Sequence, residues 1–176
     1  MEKNVSNFMK LFALTIMLAL IMPAMTHAQA GKANFAGTWT YNAAKSTQPQ
    51  GGGGGGGGGA RMGGGNLTAT QDANSLTVAR TRTNQDGETT TTTSKYTLDG
   101  KESVNTTGRG DSKSVATWSA DGKSLSIKTT STFNENTFTS TAVWSLSDAK
   151  TLSVVTTMPG RDGGAERKTA AVYDKK

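Results

Sequence analysis

Arg80 and Arg82 stand two positions apart in a run, Leu76-Thr77-Val78-Ala79-Arg80-Thr81-Arg82, that alternates strictly. On an extended strand, residues two apart share a face. Both guanidiniums therefore stand with Leu76 and Val78, on the side expected to turn inward. A guanidinium taken out of water must be paired or hydrogen-bonded. Its planar fork fits a carboxylate or a phosphate through two parallel hydrogen bonds. Tyr96, on the same alternate set as Leu98 in the next run, could add a hydroxyl. The chemistry on offer is recognition of a small anion with a partly apolar body. The competing reading has the strand leaving the interior by Arg80, so that both side chains meet water at a rim.

Three tryptophans are the other large groups. Trp39 reads as core, whereas Trp118 and Trp144 either line a ligand pocket or fill a core short of apolar residues.

Other chemistries are excluded by composition or spacing. With no Cys there is no disulfide framework, thiolate zinc site or Cys nucleophile, and His27 is the single histidine. Asp72, Asp86, Asp99, Asp121 and Asp148 sit at chain reversals, where a carboxylate caps its own backbone rather than moving protons for a substrate. No D-x-D-x-D-G run offers a calcium loop. The nine glycines 51–59 are not followed by the G-K-[ST] of a phosphate loop. The Arg-Gly-Asp within Gly108-Arg109-Gly110-Asp111-Ser112 reads as a glycine-rich turn before a strand at 113. Asn66-Leu67-Thr68 and Asn105-Thr106-Thr107 are sequons that a Thr-rich chain produces by chance. The expectation is no catalytic residue, no metal, no cofactor and no nucleic-acid partner.

The elements that must position these residues follow an export segment. Lys3 and Lys10 flank a polar start, Leu11 to Met22 is apolar but for Thr15, and Ala28-Gln29-Ala30 supplies a cleavage site. This is the pattern of a secretory signal peptide over 1–30. The apolar run is short of the roughly 20 residues a membrane helix needs. The mature chain is expected to be a single domain, 31–176, periplasmic or extracellular, with 17 basic and 12 acidic residues and no membrane span. Such a modest positive balance names no partner.

Leu, Ile, Val and Phe make up only 17 of the 146 mature residues, while Thr occurs 29 times in the whole chain. Thr favours strands and covers a wet sheet face. Residues 48–65 are expected to form a flexible Gly-rich loop. Beyond it a pattern recurs: Asp72-Ala73-Asn74-Ser75-Leu76, Asp121-Gly122-Lys123-Ser124-Leu125 and Asp148-Ala149-Lys150-Thr151-Leu152. Each reads as a reversal followed by an alternating run. The alternation predicts strands at 35–41, 66–71, 75–84, 89–98, 102–106, 113–120, 124–134, 137–147, 151–158 and 167–174. The fold class is all-β: an antiparallel up-and-down meander closed into a barrel of about 8–10 strands. Closure removes the exposed edges of an open meander. A transmembrane barrel would need an apolar outer band, and the second face here is Thr, Ser and Lys.

Asn34-Phe35-Ala36-Gly37-Thr38-Trp39, the Trp-Ser hairpins, Tyr96 to Glu102 and the ending Val172-Tyr173-Asp174-Lys175-Lys176 resemble bacterial secreted lipocalin-like proteins. The resemblance covers most of the mature chain. It implies a lipocalin-like or fatty-acid-binding-like barrel, with Gly37 and Trp39 as structural residues and the indole plugging the closed end. Two departures stand out. The Arg that lipocalins stack on this Trp late in the last strand is missing, with only Lys175 and Lys176 there, and ten strands exceed the lipocalin eight. The functional expectation is a non-enzymatic barrel that binds a small apolar or amphiphilic ligand through Arg80, Arg82, Tyr96, Trp118 and Trp144. The alternatives are an envelope or extracellular interaction module with a filled barrel as scaffold, and, weakest, a hydrolase or isomerase.

Overall fold

The computed structural model describes residues 31–47, 65–83, 87–107, 110–133, 136–160 and 164–176. The expected signal peptide, most of the Gly-rich loop (48–64), Asp86 and Arg109 lie outside the described residues. Ten strands follow in order: β1 (Gly37–Thr47), β2 (Asn66–Gln71), β3 (Ser75–Thr83), β4 (Thr89–Thr97), β5 (Glu102–Thr107), β6 (Gly110–Trp118), β7 (Ser124–Phe133), β8 (Asn136–Asp148), β9 (Thr151–Met158) and β10 (Arg167–Lys175). They form one antiparallel sheet ordered β4-β3-β2-β1-β10-β9-β8-β7-β6-β5. First and last strands pair, Tyr41 opposite Tyr173, and the sheet curls so that β4 and β5 meet.

The repeated Asp residues explain the reversals. The N–H of Asn74, Lys101, Lys123 and Lys150 donates to Oδ1 of Asp72, Asp99, Asp121 and Asp148, at 2.7, 3.1, 3.0 and 2.7 Å. Each is a side chain mimicking a backbone turn. These bonds hold the carboxyls below their ordinary pKa. The first cause is the Asn74 N–H for Asp72, the Lys101 ammonium for Asp99, the Ser119 hydroxyl for Asp121 and the Lys150 N–H for Asp148.

Closure is incomplete. β4 and β5 share no backbone ladder, and side chains bridge them instead. The Lys95 N–H donates to Asn105 Oδ1 (2.7 Å), Asn105 Nδ2 to the Lys95 carbonyl (3.1 Å), and the Thr97 N–H to Ser103 Oγ (2.8 Å). The expected removal of both edges therefore holds only along this short seam. Above it, Thr89 to Thr93 are exposed on both faces.

The largest departures from the expected strand bounds are in β1 and β6, and the expected loop loses its last residue, Gly65. β1 runs on to Thr47, with its register shifted between Asn42 and Thr47. There hydroxyls stand in for backbone partners, Val172 N–H bonding Ser46 Oγ and Ala170 N–H bonding Thr47 Oγ1. β6 begins at Gly110, so Asp111 and Ser112 are strand rather than turn residues. Gly65 is packed: at φ +112°, a Cβ there would come within 2.5 Å of the Thr81 carbonyl oxygen.

The core gathers at one end. Gly31 to Ala36 fold across it and insert Phe35, fully buried. Ala33 N–H bonds the Gly122 carbonyl (2.9 Å), and Gln71 binds Phe35 N–H through Oε1 and the Ala33 carbonyl through Nε2, both at 2.9 Å. Phe35 stacks on Trp118 (centroids 5.8 Å, planes 7° apart) and meets Trp144 edge-on (5.8 Å, 72°). The buried Trp39 donates Nε1 to the Phe35 carbonyl (2.9 Å). Lys175 Nζ lies over the Trp39 ring, 5.2 Å from its centroid, where the lipocalin resemblance led one to look for an Arg. A Cβ on Gly37 (φ +146°) would stand 2.8 Å from Lys175 Cε, so only glycine lets that side chain cross freely.

Candidate ligand cavity in the open half of the barrel

Away from the plug, the interior changes chemistry strand by strand. The inward set of β3 passes from Leu76 and Val78 to Arg80 and Arg82, and that of β4 from Tyr96 to Ser94. On β6, Ala116 gives way to Ser114 and Ser112, on β7 Ile127 to Thr129, and on β8 Trp144 and Ala142 to Ser140. Val154 leads to Thr156 on β9, and Tyr173 and Ala171 to Thr169 on β10. Together, apart from the plug-side Leu76, Val78 and Ala116, these residues enclose a cavity of about 240 Å³. A second space of about 210 Å³ shares Arg80, Arg82, Ser94, Tyr96 and Trp144 with it and adds Val78 and Thr92. Among the described residues, no acidic one lines either.

Arg80 reaches into this space. Its Nη1 donates to the hydroxyl of Tyr173, 2.9 Å away and 93 residues on in the chain. Tyr173 is fully buried and packs edge-on against Tyr41. That bond fixes the guanidinium inside the wall, and half-buried Arg82 lines both spaces beside it. Arg80 is paired on both sides, opposite Leu67 on β2 and Thr92 on β4, while Arg82 lies just past the end of the β2 ladder and pairs only with Thr90 on β4. Both side chains are half-buried. The arrangement is a cationic wall facing a chamber whose floor is Trp144, Ile127 and Val154, and it can hold an anion whose body rests on apolar surface.

Of the residues singled out from sequence, the structure brings Arg80, Arg82, Tyr96 and Trp144 to the cavity. Trp118 is not there. It belongs to the plug, stacked under Phe35 with Lys32 Nζ 5.4 Å from its ring centroid, and its buried Nε1 has no partner among the described residues. Phe138 follows the inward alternation of β8 but is 59% exposed beyond the hydroxyl wall, so it is not a core residue. Sequence reasoning missed Tyr173 and the inward hydroxyls. Their signal was present in the alternation Thr169-Ala171-Tyr173, which puts the Tyr on the face of the buried set. Among the described residues, no group of three or more His, Cys, Asp or Glu is placed to hold a metal ion, and no helix is long and apolar enough to cross a membrane.

No family model matches the chain, and no curated protein matches it. Among solved structures, a point variant of the fluorescent protein UnaG is similar in fold, with a TM-score of 0.52 and 19% identity over 81% of this chain and 96% of that one. At that identity the likeness speaks to the barrel alone.

Proposed function

We propose that this chain is an exported, non-enzymatic barrel of the lipocalin-like kind that binds a small, partly apolar anion in its open half. The observation that carries the reading is Arg80, held inside the wall by the Tyr173 hydroxyl and accompanied by Arg82, facing a chamber with no acidic lining among the described residues. A cation kept in a partly dewatered cavity favours an anionic guest. Tyr96 is available to hydrogen-bond the same guest, and Trp144 supplies flat apolar surface. Export rests on the leader-like residues 1–30. The test is titration of a fluorescent anionic amphiphile, anilinonaphthalene sulfonate, into wild type and an Arg80→Met/Arg82→Met variant. The variant should bind at least about tenfold more weakly, the scale of one lost charge-assisted pair. Equal binding by both proteins, or none by wild type, would sink the reading.

A further inference from the structure

The barrel wall says more about the guest than its charge. We propose that the ligand is a small ring-shaped carboxylate carrying several hydroxyl groups, not an anion with an aliphatic tail, an inference that rests on the anion-site reading of Arg80 and Arg82.

The observation is a belt of hydroxyls spread around the cavity wall over neighbouring rows of the sheet. Ser114, Thr129 and Ser140 stand in one registered row across β6, β7 and β8. Thr156 and Thr169 are cross-strand partners on β9 and β10. Ser94 and Ser112 lie on the remaining wall. Each hydroxyl can donate once and accept twice. Ser114 and Thr129 share one bond at 2.9 Å, and Ser112 donates to the Asn105 carbonyl at 3.1 Å. Ser114 and Thr169 are buried in the wall, while Ser94, Ser140 and Thr156 are half-buried and line the cavity.

An alkyl chain lying along this belt would strip water from the hydroxyls and return no hydrogen bond, which opposes binding. A ring edged with oxygens reverses the balance, since each hydroxyl on the wall finds a partner of either polarity. The faces of such a ring are apolar and suit the indole of Trp144 and the side chains of Ile127 and Val154 beneath. Size does not decide between them: the adjoining spaces of about 240 and 210 Å³ together fall within the roughly 300–1,000 Å³ usual for drug-sized ligands, so the hydroxyl wall carries the choice. The carboxylate then meets Arg80 and Arg82, and the ring oxygens meet the belt.

The shared chemistry could come from a sugar acid or a phenolic acid, and paired probes separate these. Protein purified from its own host is titrated by calorimetry with glucuronate against cyclohexanecarboxylate, and with 3,4,5-trihydroxybenzoate against benzoate. In one pair or both, the hydroxylated acid should bind at least about tenfold tighter, because a site built on hydrogen bonds rejects the analogue that lacks them. The pair that shows it tells alicyclic from aromatic. A Ser140→Ala/Thr156→Val variant, or Ser140→Ala alone if the double variant folds poorly, should shrink that preference and leave the plain acid's affinity nearly unchanged. If the plain acids bind as tightly in both pairs, the hydroxyl inference is overturned while the anion site stands. An unchanged preference in the variant overturns it as well. If no acid and no anilinonaphthalene sulfonate binds, the anion-site reading falls and takes this inference with it.

Discussion

The two ends of this barrel are built from the same alternating strands and do opposite things with them. At the plugged end, inward positions are Leu, Trp and Ala, and the segment before β1 adds Phe35 to close the opening. At the open end, inward positions on most of the strands become Ser, Thr or Arg, and a chamber remains. Large aromatic groups bury well and interlock there without polar partners beyond one or two N–H bonds. Hydroxyls and guanidiniums cannot fill a dry core and instead hold space that water or a guest occupies. The difference teaches that apolar packing and the cavity are assigned to separate halves, and that a chain with few apolar residues can still fold if those it has are gathered in one place.

The largest expected effect lies in the plug. Trp39→Ala should cost about 3–5 kcal/mol in denaturant unfolding, as for a fully buried aromatic. It also removes the bond to the Phe35 carbonyl. Trp118→Phe, in the same plug, should cost under about 1 kcal/mol, because its N–H makes no bond among the described residues and a ring still stacks on Phe35. Equal costs for the two would break the distinction between anchor and filler.

The seam comes next. Asn105→Ala removes both bonds to Lys95, and the loss should be roughly 1–3 kcal/mol. Hydrogen exchange should quicken at the Lys95 amide before it does at the plug. Uniform exchange along the barrel would mean that β4 and β5 are held by something else.

The smallest effect is acid sensitivity. Asp72, Asp99, Asp121, Asp148 and Asp174 all have carboxyls lowered from their ordinary value. For Asp174 the first cause is the Asn42 amide and the second the Lys45 ammonium. A lowered folded pKa contributes stability that is present above the unfolded value, near about 4, and lost as pH falls through the folded one. Residues 31–176 contain no histidine. Thermal stability should therefore be nearly flat from about pH 8 to 5 and fall below about pH 4. A transition near pH 6 in melting curves would contradict this.

Much of the barrel was legible because period-two alternation and Asp-led turns are local. β2 and β9 match their expected bounds, Asn66–Gln71 and Thr151–Met158. The cavity's Arg80 and Arg82 were legible for the same reason. What escaped depends on contacts across the sheet. Ser46 and Thr47 extend β1 only because β10 offers them N–H groups. Phe35 becomes a plug, and claims Trp118 with it, only once the far end of β6 lies beneath it. Tyr173 joins the site through a bond to a residue 93 positions away, which no spacing rule reports.

The separation of the two halves is tested most directly by measuring stability and binding on one sample of the Arg80→Met/Arg82→Met variant. Urea unfolding and a titration with anilinonaphthalene sulfonate are compared with wild type. The account predicts a stability change of roughly 1–3 kcal/mol, below that of Trp39→Ala, since the part-buried hydrogen bond from Arg80 to the Tyr173 hydroxyl is lost, together with at least about a tenfold loss of affinity. A variant that unfolds as easily as Trp39→Ala while binding the probe as wild type does would contradict it.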